Sequence, residues 1–344
     1  MASPRPRVCI VSPALAEANN GNWHTASRWQ KFLASVADVQ IVLAWSGAPV
    51  DALIALHARR SAESIERFHA AHPRAPLALV MTGTDLYRDI RTEALAQHAL
   101  QCASHVVVLQ DEGLTALPAD VRAKARVIVQ SATKLVRSKP SQWPFELVAV
   151  GHLREEKDPA TLMAAARLLP ADAPLHITHI GSALDPALGA LAQQTMQACP
   201  LYRWLGALPR ASARRHMAGA KALVHMSRME GGANVVIEAV RSGVPVLASR
   251  IDGNVGLLGA DYGGYFPVGD APALARLMQR AASDEAFLAH LRAQCALRES
   301  RFTPATERAA VRALLADMLA LHTSAGADTI AKPQQLLRFT DRTP

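Results

Sequence analysis

Short apolar runs that predict buried strands alternate with amphipathic helix patterns along most of the chain. In the first half, strands are predicted at residues 7–12, 39–44, 77–82, 105–110 and 126–130, and helices at 25–36 and 51–71. In the second half, strands are predicted at 146–150, 175–180, 202–205, 222–226, 245–248 and 264–267. This alternation is typical of parallel α/β sheets. It predicts an α/β fold of two Rossmann-like, doubly wound domains, with ligands in the cleft at the carboxyl ends of the strands.

Polar residues and two prolines interrupt the pattern at residues 138–144, which predicts an interdomain linker. We therefore expect an N-terminal domain at 1–140 and a C-terminal domain at 145–303. A last helix at 304–322 is expected to pack back on the N-terminal domain, and a polar tail follows at 323–344.

Composition narrows the classes of protein that fit this chain. No apolar run approaches the ~20 residues of a membrane span, and the N-terminus carries no signal-peptide pattern. We therefore expect a cytoplasmic protein without stable membrane association. The net charge of +8 suits an anionic substrate, an acidic membrane surface or nucleic acid. The arginines are dispersed and aromatic residues are few, so nucleic acid is not expected. Four scattered cysteines lack metal-ligand spacing, and no metal is expected.

The stretch 227–239 carries the strongest functional signal. Glu230 and Glu238 are separated by seven residues, and a glycine pair follows the first of them. Glycines at a helix start allow backbone N–H groups to approach a phosphate, and Glu238 can accept hydrogen bonds from a ribose or sugar two turns later. Two solvated glutamates on one helix are the alternative. The flanking buried-strand patterns favour a site for a nucleotide sugar.

The segment between the first predicted strand and the first predicted helix is rich in small polar residues. It contains Asn20, Gly21, Asn22, His24 and Thr25. Such a turn can hold a phosphate or carboxylate, or can be an ordinary loop that caps the helix. We assign Gly21 to the donor and the two asparagines and Thr25 to an acceptor. His24 is a candidate for orienting or protonating the acceptor, and otherwise packs beside its tryptophan neighbour.

A second polar segment follows the predicted strand at 77–82. Thr82, Gly83 and Thr84 offer two hydroxyls and a close backbone approach, and all three are assigned to the acceptor. Asp85 either accepts from a sugar hydroxyl or caps the next helix. Arg88 is a candidate clamp for an anion, because guanidinium binds phosphate oxygens in a bidentate manner.

Cations follow the first predicted strand of the second half. Arg154 and Lys157 can neutralise a leaving diphosphate as charge develops in the transition state, without a metal ion. Arg154 could instead pair with Glu155 or Asp158 at the surface. The catalytic candidates are thus Glu230, Lys157, Arg154 and His24.

Residues 151–157, 230–238 and 243–246 resemble the large family of retaining GT-B glycosyltransferases that use nucleotide-sugar donors. The resemblance implies that a lysine contacts the donor diphosphate, the first glutamate and the following amides contact the sugar and phosphates, and the second glutamate binds the ribose. In this chain the implied donor-binding residues are Lys157, Glu230, Gly231, Gly232, Ala233, Asn234 and Glu238. The family commonly has arginine where this chain has His152, so His152 and Arg154 are both assigned to the donor.

Residues 20–29, 82–89 and 230–234 also resemble the selenosugar synthases of selenoneine biosynthesis. This narrower resemblance covers nearly the whole chain. It implies a UDP-sugar donor, with UDP-N-acetylglucosamine expected, and selenophosphate as the nucleophile. The products would be a 1-seleno-sugar, UDP and phosphate. Transfer to a hydroxyl of a lipid, glycan or small molecule is the alternative reaction, and a non-enzymatic nucleotide-sugar sensor is the alternative class.

Overall fold

The computed structural model describes residues 4–15, 21–135, 143 and 145–327. Asn20, most of the predicted linker at 138–144 and the predicted tail from residue 328 lie outside the described residues.

The first half of the chain forms a parallel sheet in the order β2-β1-β3-β4-β5-β6. Its strands are β1 (Arg7–Val11), β2 (Asp38–Val42), β3 (Ala52–Leu56), β4 (Leu77–Val80), β5 (His105–Val108) and β6 (Ala125–Val127). Its helices are α1 (Gly21–Leu33), α2 (Ala62–Ala71), α3 (Ile90–Thr92), α4 (Ala94–Cys102), α5 (Gly113–Ala116) and α6 (Ala119–Arg122), with a π-helical turn at Asp85–Asp89. The strand order reverses between β1 and β3, which is where a doubly wound sheet opens a crevice for ligands.

The second half forms another parallel sheet, in the order β12-β11-β10-β7-β8-β9. Its strands are β7 (Glu146–Val150), β8 (His176–Ile180), β9 (Tyr202–Trp204), β10 (Ala222–His225), β11 (Val246–Ser249) and β12 (Tyr265–Phe266). Its helices are α7 (Pro159–Arg167), α8 (Pro186–Ala198), α9 (Arg210–Gly219), α10 (Asn234–Arg241), α11 (Asp252–Leu258), α12 (Ala271–Ser283) and α13 (Glu285–Arg298), with 3-10 turns at Glu155–Lys157 and Glu299–Phe302. The order reverses between β7 and β10.

One prediction about the first sheet was wrong. The helix predicted at 51–71 begins only at Ala62, and Ala52–Leu56 is the strand β3, which pairs with β1 and β4. Every residue of β3 is buried. A strand covered on both faces has no alternation of apolar and polar residues, so its pattern cannot be told from that of a buried helix.

The final helix, α14 (Pro304–Ala327), lies against the first domain. Its residues Val311, Leu314 and Met318 are buried in one apolar cluster with Trp29 and Leu33 of α1. The buried carboxylate of Glu307, on the same helix, accepts hydrogen bonds from Arg28 Nε at 2.7 Å and Trp29 Nε1 at 2.8 Å. It also accepts from the backbone N–H of Ser131 at 2.7 Å.

The chain passes between the domains at two neighbouring places. The outgoing segment after β6 and the segment returning to α14 are joined by a hydrogen bond from Ala132 N to Phe302 O, at 3.2 Å. Arg241 of α10 contacts both segments, through Ala132 O at 3.2 Å and Glu299 Oε1 at 2.8 Å. Helices long and apolar enough to cross a membrane are absent from the described ranges.

Candidate active site

A cavity of about 690 Å³ lies where the carboxyl ends of the two sheets face each other. The first domain lines it with the predicted residues Gly21, Asn22, His24, Thr25, Thr82, Gly83 and Thr84. The second domain lines it with the predicted residues His152, Arg154, Lys157, Glu230, Gly232, Ala233, Asn234 and Glu238. Motifs that lie as far apart in sequence as Gly21 and Glu238 therefore share one cavity. The predicted residues Gly231, Asp85 and Arg88 are not among those that line it.

Glu230 is the most strongly held carboxylate of the cavity. Its Oε1 forms an ion pair with Lys157 Nζ, accepts from Ser227 Oγ at 2.7 Å and lies 3.3 Å from His225 Nε2. Burial raises the pKa of Glu230, but Lys157 and His225 outweigh burial and hold the pKa well below its usual range. The side chain is therefore an anion at neutral pH, fixed beside a cation.

The turn after β7 brings the Lys157 side chain to Glu230. Asp158 adopts the left-handed conformation, with φ 47° and ψ 49°, and Pro159 begins α7 directly after it. The buried carboxylate of Asp158 accepts from Thr161 Oγ1 at 2.8 Å and from Arg228 at 3.3 Å. These bonds hold the sharp change of direction at Asp158, so that the preceding lysine points into the cavity.

Arg154 does not form an ion pair with Glu155 or Asp158, the two surface partners considered from the sequence. Arg154 Nε lies 3.8 Å from the carboxylate of Glu156, and both side chains line the cavity. His152 accepts a hydrogen bond from Ser182 N through Nδ1, at 3.2 Å. Burial and the cations Arg154 and Lys157 lower the pKa of His152. His152 is therefore neutral at neutral pH, and positive charge on this wall comes from Arg154 and Lys157.

Glu238 lies near the middle of α10 and is mostly buried. Its Oε1 forms an ion pair with Arg210 and lies 3.6 Å from Arg214 Nε. Both arginines belong to α9 and line the cavity. The sequence interpretation missed them, since ion-pair partners 28 and 24 residues away leave no local pattern.

The glycine pair after Glu230 lies against the first domain. A Cβ atom at Gly231 would lie 2.6 Å from Thr82 O, and one at Gly232 would lie 2.8 Å from Leu109 Cβ. Gly83 has φ +140°, and a Cβ there would lie 2.9 Å from Gly231 N. The absence of side chains at these positions therefore allows the two domains to make backbone contact beside the cavity. An interaction of the Gly231 amide with a donor stays a prediction.

Asp85 and Arg88 have roles other than lining the cavity. Asp85 is fully buried, and its carboxylate accepts from the backbone N–H groups of Thr82 at 2.8 Å, Gly83 at 2.8 Å and Ala58 at 3.0 Å. It thereby ties the segments after β3 and β4 together. The guanidinium of Arg88 pairs with Asp89 at 2.9 Å and lies 3.8 Å from Glu156.

The start of α1 supplies polar groups to the first-domain wall. Thr25 Oγ1 donates to Gly21 O at 2.8 Å and accepts from Gln130 Nε2 at 2.5 Å, so its hydroxyl is already engaged. Burial, together with the cations Arg210 and Arg28, lowers the pKa of His24 to about 4. His24 is thus neutral at neutral pH, a state that suits hydrogen bonding better than proton donation.

Two further cavity residues, His57 and Arg60, lie just after β3. They were missed because β3 itself was taken for part of a helix, and residues after an unrecognised strand are not expected at a sheet edge. No group of three or more His, Cys, Asp or Glu side chains in the described part of the chain is placed to hold a metal ion.

Residues 134–298 match the family model for glycosyl transferases group 1. This segment is a group 1 glycosyltransferase domain. It contains the turn with Arg154 and Lys157 as well as both glutamates of α10 and the loop before it.

Similar solved structures cover both domains. HepE from Anabaena, in complex with UDP and glucose, is 15% identical, has a TM-score of 0.73 and covers 91% of this chain and 100% of its own. Sucrose-phosphate synthase from Thermosynechococcus elongatus is 16% identical, with a TM-score of 0.67 and coverage of 95% and 100%. The trehalose 6-phosphate synthase of Burkholderia multivorans is 11% identical, with a TM-score of 0.64 and coverage of 83% and 73%. The predicted α/β fold of GT-B type is confirmed, and the group 1 domain confirms a glycosyltransferase.

Proposed function

We propose that this glycosyltransferase transfers a sugar from a UDP-sugar to selenophosphate and so forms a C–Se bond. UDP-N-acetylglucosamine is the expected donor, and the products are a 1-seleno-sugar, UDP and phosphate. The observation that carries the proposal is the charge on the cavity walls, where five cationic side chains accompany three carboxylates. Such a cavity suits a reaction in which both the donor and the acceptor are anions.

The donor is proposed to bind the group 1 domain. Lys157 and Arg154 would lie along the diphosphate, and Glu238 would accept hydrogen bonds from the ribose hydroxyls. Glu230 would contact the transferred sugar, since it is a fixed anion next to Lys157. UDP as the nucleotide is supported by HepE, which was solved in complex with UDP and with UDP-glucose.

The proposed reaction requires no oxidant or reductant, because each bond that forms is matched by a bond that breaks. An electron pair of selenium forms the bond to the anomeric carbon, while the electron pair of the breaking C–O bond stays on the β-phosphate oxygen of UDP. Water then cleaves the P–Se bond, which releases phosphate and leaves the selenol on the sugar. Because selenophosphate is already ionised, catalysis needs positioning and stabilisation of the leaving group more than a strong base.

We also propose that the transfer step needs no metal ion. Arg154 and Lys157 both line the cavity, and these two cations would neutralise the diphosphate in place of a divalent ion. Turnover should therefore persist in excess chelator. Activity that disappears with EDTA and returns with Mg²⁺ or Mn²⁺ would contradict this.

The reaction is tested by mass spectrometry of product mixtures. Purified protein is incubated with UDP-N-acetylglucosamine, UDP-glucose or UDP-galactose, each combined with selenophosphate, thiophosphate or a simple alcohol. The expected result is a seleno-sugar and stoichiometric UDP, both strongly reduced in the Glu230→Gln variant. Turnover with alcohols alone would indicate a hydroxyl acceptor, and UDP-sugar binding without consumption under any combination would indicate a sensor.

A further inference from the structure

The backbone of His57 is held in an unfavourable conformation at the edge of the cavity. Its φ is +74°, in the left-handed region that residues other than glycine rarely adopt, and the residue is only 2% exposed. Such conformations persist only where the surroundings impose them, and they concentrate at functional sites. His57 follows β3 directly, next to the point where the strand order of the first sheet reverses.

Hydrogen bonds fix the tautomer of this histidine. Its Nδ1 accepts from the backbone N–H of Arg60 at 3.4 Å, so the ring proton lies on Nε2, which is 3.0 Å from Thr84 Oγ1. Burial lowers the pKa of His57, although Asp85 and Asp89 oppose that shift. A neutral ring therefore donates to the hydroxyl of Thr84. The Thr84 proton is then left to donate in another direction, and Thr84 lines the cavity.

Arg60 is a cavity-lining cation that lacks a carboxylate partner within the described residues. Its neighbour Arg59 pairs with Asp89 at 3.1 Å, and Arg88 pairs with the other oxygen of the same carboxylate. In contrast to Arg60, the other cations that line the cavity each have a carboxylate partner. Arg154 pairs with Glu156, Lys157 with Glu230, and Arg210 and Arg214 with Glu238. Arg60 is exposed, so its charge is available to a ligand without breaking an ion pair.

We propose that Arg60 and Thr84, with Thr84 oriented by His57, bind the tetrahedral anionic group of the acceptor. This inference rests on the proposed function and specifies its acceptor end. The guanidinium of Arg60 binds two oxygens of the group, and the Thr84 hydroxyl donates to a third. Arg60 thus takes the role that the sequence assigned to Arg88, which pairs with Asp89 and does not line the cavity. His57 is a positioning residue that acts through Thr84.

Substitution of two adjacent arginines tests the subsite. Arg60→Gln should raise the KM for selenophosphate by about tenfold or more, because a charge-assisted contact is lost, and should leave the dissociation constant of UDP unchanged. Arg59→Gln is the matched control, since Arg59 does not line the cavity, and it should leave both values unchanged. Equal effects from the two variants, or weaker UDP binding in Arg60→Gln, would overturn the proposal; the latter would assign Arg60 to the donor diphosphate.

A double-mutant cycle tests the role of His57. Asn tolerates the left-handed conformation but is too short to reach Thr84, so His57→Asn keeps the backbone and removes the donor. His57→Asn and Thr84→Val should each raise the acceptor KM, and the double variant should be no worse than Thr84→Val alone. Fully additive effects would show that His57 does not act through Thr84.

Binding without turnover separates this proposal from the proposed function. Thiophosphate is titrated by calorimetry into wild-type protein and both arginine variants, each saturated with UDP. Binding that is lost only in Arg60→Gln supports the subsite, even if no seleno-sugar forms in the turnover assay, in which case the selenium chemistry alone fails. Wild-type protein that binds no thiophosphate, or Arg60→Gln that binds it as well as wild type, would overturn the subsite.

Discussion

The ion pairs between side chains of the cavity indicate which contacts a ligand must displace. Glu230 is held by Lys157, and Glu238 by two arginines of α9. Ribose hydroxyls that bind Glu238 must share or replace those ion pairs. Release of Arg210 from Glu238 would add a mobile cation to the cavity at the moment when the donor binds. The two glutamates therefore have different surroundings, and their substitutions should have different effects.

Glu238→Ala should raise the dissociation constant of UDP by roughly tenfold, in line with the ~1–3 kcal/mol expected when a buried partner of ligand hydroxyls is lost. Glu230→Ala should lower kcat more than it weakens UDP binding, because Glu230 is proposed to contact the transferred sugar. Calorimetry with UDP and steady-state kinetics measure the two effects. Glu285→Gln, on the exposed first turn of α13, is the control. Small and equal effects of both substitutions would mean that neither glutamate contacts the ligand.

The lowered pKa of His24 leads to a prediction about the pH dependence of kcat/KM. Its pKa is lowered from 6.5 to about 4, so the ring is neutral at every pH above that value and gains its proton only in acid. His24→Gln should lower turnover through lost orientation while the shape of the kcat/KM profile between roughly pH 6 and 8 stays that of the wild type. A wild-type ionisation in that range that vanishes in His24→Gln would instead identify His24 as a proton donor or acceptor.

At the scale of elements, Glu307 fastens α14 to α1 and to the end of the first sheet. Its carboxylate is fully buried and accepts hydrogen bonds from the guanidinium of Arg28, the indole N–H of Trp29 and the backbone N–H of Ser131. Removal of a buried carboxylate leaves all of its hydrogen-bond donors buried and unsatisfied, which destabilises the fold. An exposed ion pair contributes little to stability.

Glu307→Ala should therefore lower the free energy of unfolding by about 3 kcal/mol or more. Asp317→Asn on the same helix breaks the exposed pair with Arg126, 2.7 Å long, and should cost less than about 1 kcal/mol. Urea denaturation followed by circular dichroism measures both. Similar losses for the two variants would contradict the distinction between buried and exposed pairs.

Elements with a clear local pattern were predictable, and elements defined by distant contacts were not. The strands of the second half were predicted to within a few residues, because each short apolar run ends in glycine, proline or polar residues. Ala52–Leu56 was missed because burial on both faces removes the alternation. At the site, the spacing of Glu230 and Glu238 is local and visible. The partners Arg210 and Arg214 lie on another helix, and no spacing in the sequence records that contact.

For the whole molecule, the contact between Gly83 and Gly231 is one of the places where the two domains approach most closely. A side chain at Gly231 would collide with the backbone of Thr82 and Gly83. The two domains would then have to separate, and groups from the two walls of the cavity would no longer reach one substrate pair. The proposed binding of UDP to the second domain does not require that contact.

Gly231→Ala should accordingly lower kcat by on the order of tenfold or more, since small misplacements of reacting groups cost that much. UDP affinity should change little. Gly263→Ala, where a Cβ would meet its nearest neighbour at an ordinary 3.4 Å, is the control. Kinetics and small-angle scattering, which reports the separation of the domains, give the readouts. Unchanged kcat in Gly231→Ala would show that the domain contact is dispensable for catalysis.

The neighbouring passages of the chain at Ala132 and Phe302 have a mechanical consequence. Because the two connecting segments cross between the domains at one place, they act as a single hinge. Rotation of one domain about this hinge stretches neither segment, whereas sliding of one domain past the other would stretch both segments. Movement of one domain relative to the other is then an angular swing, and the distance that any point travels grows with its distance from the hinge. A rotation of a few degrees at Ala132 and Phe302 thereby produces a larger displacement at the rims of the cavity. Glu307 and its partners all lie on one side of the hinge, so they move together.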